Sequence, residues 1–400
     1  MPRRAPASRP LLATVTPVNE SRAGVRLEFL DGIRAIAALY VVLHHIYLTV
    51  YPHNDPSGPL AWTFSWLQYG NFGVAVFIVI SGYSLAIRPA RIGGLGESYL
   101  SFIRRRFRRI VLPYWVALAV SLVLALTLLG RTTGTHWDVS LPVTWQSVVV
   151  HLLALQDVAY SATINHVFWS VALEWHIYFL FPLLLWFWSR RGKVVSTAVL
   201  LLGTTLVAAY AARSGLQVPL LENLHFVGLL AVGALCCYVS RDGGTVAIGG
   251  RVLAPRWDLV AGALVVVAVV ELVVVNNWTI ASTLVGLAMG AALIAMSTSG
   301  LPWLAAALAR RPVVWLGTIS FSLYLTHALV IQLIWQYVLA PSGFRLDHVE
   351  GLVVLIPVGA VVSVLLAWAF WSFGERPFLS NAHKTRVQQE LRTPVHSSAE

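Results

Sequence analysis

Two cysteines, Cys236 and Cys237, make up the whole thiol content of the 400-residue chain, and they are neighbours in an apolar run. So placed, they offer no disulfide framework, no zinc-ligand spacing and no thiol nucleophile, and they read as helix packing. Charge is also scarce. Only 11% of residues are Asp, Glu, Lys or Arg, against about 25% in a soluble domain. No phosphate-binding glycine loop, metal-ligand cluster or Gly-x-Ser-x-Gly elbow occurs, so nucleotide hydrolysis, zinc chemistry and serine-hydrolase chemistry lack support. No internal repeat is evident, which weakens a transporter built from inverted halves. No apolar segment precedes the first long apolar run, so no cleaved leader is expected.

What is abundant is apolar sequence: 58% of residues are hydrophobic and the mean hydropathy is +0.73. Long apolar runs fall at 30–50, 67–87, 110–130, 165–189, 194–212, 222–240, 257–275, 278–298, 313–338 and 351–373. Each suffices to cross a bilayer as a helix, so the chain is expected to be an all-α, polytopic membrane bundle of about ten transmembrane helices. The formal charge of +11 invites a nucleic-acid partner, but the basic residues are almost all arginines at helix ends. Alternate joints and both tails hold 24 of the 28 Lys and Arg residues, leaving Arg131, Arg213 and Arg345 on the other side and Arg34 inside the membrane. By the positive-inside rule both termini are expected in the cytoplasm, and no nucleic-acid partner is expected. The expected organisation is a cytoplasmic tail over 1–26, a membrane domain over 27–378 and a polar, disordered cytoplasmic tail over 379–400, in the plasma (inner) membrane. The joint from Arg131 to Asn165 contains an apolar stretch, TWQSVVVHLLALQ. It is too short to span and is expected to lie at the interface or to re-enter the bundle.

Inside these runs sit residues that hydrocarbon does not welcome. The first, LDGIRAIAALYVVLHHIYLTV, carries Asp31, Arg34, His44 and His45. Arg34 and His45 are eleven positions apart, about three turns plus 20° and roughly 16 Å along a helix, so they share a face. Each costs about 2.5 to 3.5 kcal/mol to expose to lipid, and such groups usually face a polar cavity. Asp31 lies one turn from Arg34 and can pair with it, which leaves a purely structural ion pair as an alternative. His44 is turned off that face and is the weaker candidate.

In the second run, YGNFGVAVFIVISGYSLA, Ser81 and Tyr83 offer hydrogen bonds, and Gly73 and Gly82 permit close helix approach. FIRRRFRRIVLPYW follows, with Arg106 and Arg109 one turn apart. It reads either as an orientation signal or as an anion site suited to phosphate. NHVFWSVALEWHIYFLFP holds His166, Trp169, Ser170, Glu174, His176 and Tyr178, with Tyr178 placed to hydrogen-bond Glu174. WLGTISFSLYLTHALV adds Tyr324 and His327. Glu271 lies near the outer end of its span, within reach of the interface, and has no assigned role.

These segments together, with LGTISFSLYLTH and the closing ERPF, resemble the acyltransferase 3 family of integral-membrane O-acyltransferases from about Leu27 to Phe378. The resemblance implies transfer of an acyl group, commonly acetyl from an acyl-CoA co-substrate, to a hydroxyl. No permanently bound cofactor is implied. A carbohydrate such as surface polysaccharide or lipopolysaccharide is the commoner acceptor, with a macrolide-like small molecule or a lipid as the alternative. The family's arginine and histidine, with ten residues between them, fall on Arg34 and His45, which makes His45 the expected catalytic centre. Its basic pair falls on Arg106 and Arg109 as donor-binding residues, and its Trp-Ser and buried acid on Trp169, Ser170 and Glu174. Glu174 is expected to orient or charge-balance an imidazole. Ser81, Tyr83, His176, Tyr178, Tyr324 and His327 complete the expected pocket. His176 stands where many relatives carry glutamine, and SGY replaces the commoner SGF; His176 is expected to alter acceptor contacts. Some relatives continue into an extracytoplasmic hydrolase-like domain, so this chain is expected to complete transfer itself or to hand its product on. From a different class, a proton-coupled transporter would use Asp31, Arg34, His45 and Glu174 as a relay, with His327 lining the path.

Overall fold

The computed structural model describes residues 20–53, 61–159, 163–216 and 218–379. Ten helices in it are long and apolar enough to cross a membrane, the number that the apolar runs predict. In order, the helices are α1 (Glu20–Val50), α2 (Phe72–Ile92), α3 (Tyr99–Thr127), α4 (Trp145–Leu152), α5 (Trp169–Arg191), α6 (Lys193–Ser214), α7 (Pro219–Glu222), α8 (His225–Arg241), α9 (Trp257–Val274), α10 (Trp278–Ser297), α11 (Pro302–Leu308), α12 (Arg311–Thr318), α13 (Ser320–Ile334) and α14 (Val349–Phe370). A hairpin of β1 (Val246–Ile248) and β2 (Arg251–Leu253) is the one sheet among the described residues. The expected tails lie almost wholly outside the described residues, except that α1 already begins at Glu20.

Several helix ends differ from the apolar runs because capping, not hydropathy, sets them. α3 starts at Tyr99, where the Ser98 hydroxyl accepts the Ser101 N–H, so the arginines from Arg104 to Arg109 belong to the helix and not to a joint. The run at 313–338 divides at Ile319 into α12 and α13, and α13 continues through a π-turn at Trp335–Leu339. The stretch in the long joint forms α4, capped by Thr144 and Ser147 reciprocally. It is tied to α3, since the Tyr114 hydroxyl donates to the His151 carbonyl (2.7 Å) and Trp115 Nε1 to Leu152 (2.9 Å).

Burial sorts the helices. About 17% of the α9 window and 28% of the α6 and α14 windows are buried, against 61% for α1 and 72% for the span that holds α13. Helices α1 and α13 are therefore central, and α9, valine-rich and exposed, is peripheral. Glu271 is the exception on α9: it turns inward and is buried, and it accepts the Asn277 N–H at 3.0 Å. It stitches the turn into α10 and does not reach out to an interface. α2 packs on α8 through backbone contact. A Cβ at Gly82 would stand 2.1 Å from the Leu230 carbonyl oxygen, and one at Gly233 2.0 Å from that of Val79.

Candidate active site

Two polar regions lie inside the bundle, one at each end of the Arg34–His45 stretch of α1. The first is a cavity of about 130 Å³ lined by α1, α2, α3, α5, α12, α13 and the final turn at Trp371–Glu375. It brings together Arg34, Arg106 and Arg109 with Asp31, Glu174 and Glu375. Arg34 donates to Asp31 Oδ1 (2.6 Å) and to Ser84 Oγ (2.8 Å), so the expected local pair forms and is anchored to α2 as well. Arg106 stands over the rings of Phe102 (5.6 Å) and Tyr178 (5.7 Å). Its Nε is buried without a hydrogen-bond partner. Arg109 is exposed at the rim. An unpaired N–H at the wall of a polar cavity, beside two further guanidiniums, is a ready donor to an anion that enters.

Glu174 is fully engaged on one oxygen. Oε1 accepts from Ser81 Oγ at 2.7 Å and from the Tyr178 hydroxyl, the i+4 partner that the helix period predicts. Among the described residues neither bond of Glu174 goes to an imidazole, so the geometry gives it no part in orienting His45. Ser81, Ser170, Tyr178 and Tyr324 line the cavity, whereas Tyr83, Trp169 and His176 do not. The helix period supplies the reason: two positions turn a side chain by about 200°, so Tyr83 faces away from Ser81, and His176 away from Glu174. The Tyr83 hydroxyl meets Ser297 Oγ (2.9 Å), the Trp169 ring packs on Phe226 (6.1 Å), and His176 Nδ1 pairs with Asp157 Oδ2 (2.8 Å).

The second region is a group of imidazoles around His45. Its ring centroid is 4.9 Å from His327, 5.1 Å from His44, 5.2 Å from His166 and 6.5 Å from His136. His327, expected in the pocket, is brought against His45 on α1, and His136 joins them from a polar joint where nothing in the local sequence signals that contact. Burial pushes the His136 imidazole down from its ordinary value. His44 Nδ1 lies 2.9 Å from the Leu67 carbonyl oxygen and holds the 3-10 segment Ala61–Tyr69 against α1.

Carbonyl oxygens fix the tautomers here, because they can only accept. His327 Nδ1 lies 3.1 Å from the Leu323 oxygen and therefore carries its proton there, which leaves Nε2 as an acceptor in the neutral ring. His45 Nδ1 lies 2.9 Å from the Val41 oxygen and 3.1 Å from His327 Nε2. Both neighbours are acceptors, so His45 Nδ1 carries a shared proton. The neutral ring then keeps its basic lone pair at Nε2.

Between cavity and imidazoles stands Tyr324. Its hydroxyl donates to the Val167 carbonyl (3.1 Å) and contacts Ser170 Oγ (2.5 Å), while its ring lies 5.7 Å from His327. Ser84 and Glu375 are cavity residues that sequence reasoning missed, whereas Tyr324, expected in the pocket, forms part of its wall. Among the described residues no group of three or more His, Cys, Asp or Glu has metal-binding geometry.

Comparison with known proteins narrows what this arrangement is for. The chain is 27% identical over 339 residues to the acyltransferase MdmB of Streptomyces mycarofaciens, covering 77% of this chain and 80% of MdmB. It is 25% identical over 187 residues to the peptidoglycan O-acetyltransferase OatA of Listeria monocytogenes serovar 1/2a (strain ATCC BAA-679 / EGD-e), 44% of this chain and 27% of OatA. A match to YrhL of Bacillus subtilis (strain 168) is 28% identical over 163 residues, 39% of this chain and 23% of YrhL. The chain thus spans about a quarter of the length of these last two relatives. No solved structure matches significantly. The model of the acyltransferase 3 family, described as an acyltransferase domain, matches residues 27–372, and the chain belongs to that family of membrane acyltransferases.

Proposed function

We propose that the protein acylates a hydroxyl of a carbohydrate acceptor, peptidoglycan or another surface polysaccharide, using an acyl-CoA thioester, with acetyl as the acyl group and no permanently bound cofactor. His45 is the base. The observation that carries this reading is the fixed tautomer of His45, whose Nε2 is left basic, with Tyr324 between the imidazoles and a cavity holding three guanidiniums. The donor enters from the arginine-rich, cytoplasmic side, with its phosphates on Arg106, Arg109 and Arg34, and its pantetheine arm runs along the cavity to Tyr324. Rotation of the Tyr324 ring joins cavity and imidazoles. The acceptor hydroxyl gives its proton to His45 Nε2, its oxygen bonds to the acyl carbon, the C–S bond breaks, and the thiolate of CoA takes up the proton. Glu174, with Tyr178 and Ser81, shapes the cavity near Arg106. The membrane is the plasma membrane, with both termini inside. The acceptor class is supported by the peptidoglycan O-acetyltransferase name of OatA, within the shared 44% of this chain.

The test is release of free CoA from acetyl-CoA by purified protein in nanodiscs supplied with peptidoglycan fragments, with mass spectrometry of the acceptor. The expected result is acceptor-dependent release and an added acetyl group. Release that depends only on a macrolide-like molecule or a lipid would replace the acceptor. No release with any acceptor, together with solute flux in vesicles, would replace the enzyme by a transporter.

A further inference from the structure

Buried imidazoles in helices ordinarily satisfy Nδ1 on the carbonyl four residues back, as His151 does with Ser147 (2.8 Å). His45 has that bond and a second one. A neutral imidazole, His327, presents its lone pair to the same proton at 3.1 Å from a helix 282 positions away in sequence. His327 is fully buried, and its own Nδ1 is tied to Leu323, so its ring cannot flip without losing a buried hydrogen bond. The acid available nearby, Glu174, is engaged with Ser81 and Tyr178 instead.

We infer that His327 is the positioning residue of the His45 base, occupying the place that a carboxylate holds in a hydrolase triad. This rests on the reading of His45 as the base. Two consequences follow from its geometry. Before transfer, His327 Nε2 shares the His45 Nδ1 proton with the Val41 carbonyl, so the ring is held from two sides with its basic lone pair at Nε2. During transfer His45 becomes an imidazolium, and the His327 lone pair then accepts a charge-assisted hydrogen bond that strengthens as charge develops. A neutral partner suits a low-dielectric site better than a carboxylate would, because no ion has to be buried in the resting enzyme. His327 does not touch the substrate.

The experiment compares His327→Leu with His327→Gln in full-length protein in nanodiscs, with acetyl-CoA as donor and the acceptor found active above. Leucine fills the space without an acceptor atom, while the glutamine amide oxygen can accept the His45 proton. The expected result is a fall in kcat of about 10- to 100-fold for His327→Leu, with KM for acetyl-CoA within about twofold, and recovery to within about fivefold of the unaltered protein for His327→Gln. In protein labelled with 15N-histidine, the His45 ring, assigned by its absence in His45→Ala, is expected as the Nδ1–H tautomer in both the unaltered protein and His327→Leu, held there by the Val41 carbonyl, with its Nδ1 nitrogen and proton shifts moved in His327→Leu by loss of the second acceptor. Equal activity of the two variants, equal impairment of both, a loss carried by KM, or unchanged His45 Nδ1–H shifts in His327→Leu would overturn the assignment. Full activity in His45→Ala would instead overturn the reading of His45 itself, so the two failures are distinct.

Discussion

The arginine cavity and the imidazole cluster are built on the same helices, yet they keep polar groups in an apolar interior by opposite means. In the cavity, guanidiniums are set against carboxyl groups: Arg34 on Asp31, Arg106 near Glu174, Arg109 near Glu375. In the cluster, among the described residues, no acid bonds to His45, and the rings of His45 and His327 satisfy Nδ1 on helix carbonyls. Pairing retains charge, and carbonyl bonding retains neutrality. The first arrangement suits recognition of a charged ligand, the second suits movement of a proton. Tyr324 keeps the two apart.

Substitutions on each side should break different kinetic quantities. The largest effect is expected from His45→Ala, about a 10³-fold loss of acetyl transfer with donor binding retained, read as CoA release and as acetyl-CoA affinity. If affinity fell in step with rate, the two regions would not be functionally separate. Next, Arg106→Gln should raise KM for acetyl-CoA about 10- to 100-fold with kcat little changed, since it removes a charge-assisted contact, and Arg109→Gln should raise it less because Arg109 is exposed. Steady-state kinetics at varied donor concentration separates these outcomes. Smaller again, Tyr178→Phe takes one donor from Glu174 and should cost about 1 kcal/mol of stability, read as earlier thermal unfolding in detergent.

The smallest effect should come from pH and should fall on the cluster side. The His136 imidazole is depressed by burial and faces His166 (4.8 Å between ring centroids) and His45 (6.5 Å). The unfolded chain binds the His136 proton more readily than the folded one, so this contribution to stability is present above about pH 6.5 and is lost as pH falls through it. With the intrinsic pH dependence of amide exchange divided out, hydrogen exchange of the segment around His136–Ser140 should quicken as pH falls from about 7 to about 5, while the cavity helices change less. Equal quickening in both would remove the contrast.

What the sequence made legible was whatever depends on near neighbours. The Asp31–Arg34 and Glu174–Tyr178 contacts lie three and four residues apart, and the helix period alone anticipates both. The ten spans follow from apolar run length. What stayed hidden was what distant segments bring together: the His45–His327 contact across 282 positions, Glu375 from the last helix in the cavity, and His136 folded in from a loop. His176 illustrates the converse. Its closeness to Glu174 in sequence suggested a shared pocket, but the helix turns it to Asp157 on another face.

The contact between Gly82 and Leu230 has a consequence for the width of the cavity. Gly82 meets α8 while Ser81 and Ser84, on the same helix, line the cavity. With a carbonyl oxygen already where a side chain would begin, α2 cannot retreat to admit a bulkier guest, and any side chain added behind it pushes it inward. The helix pair is therefore a fixed calliper, and the bore it sets is a matter of backbone rather than of the residues that the guest touches.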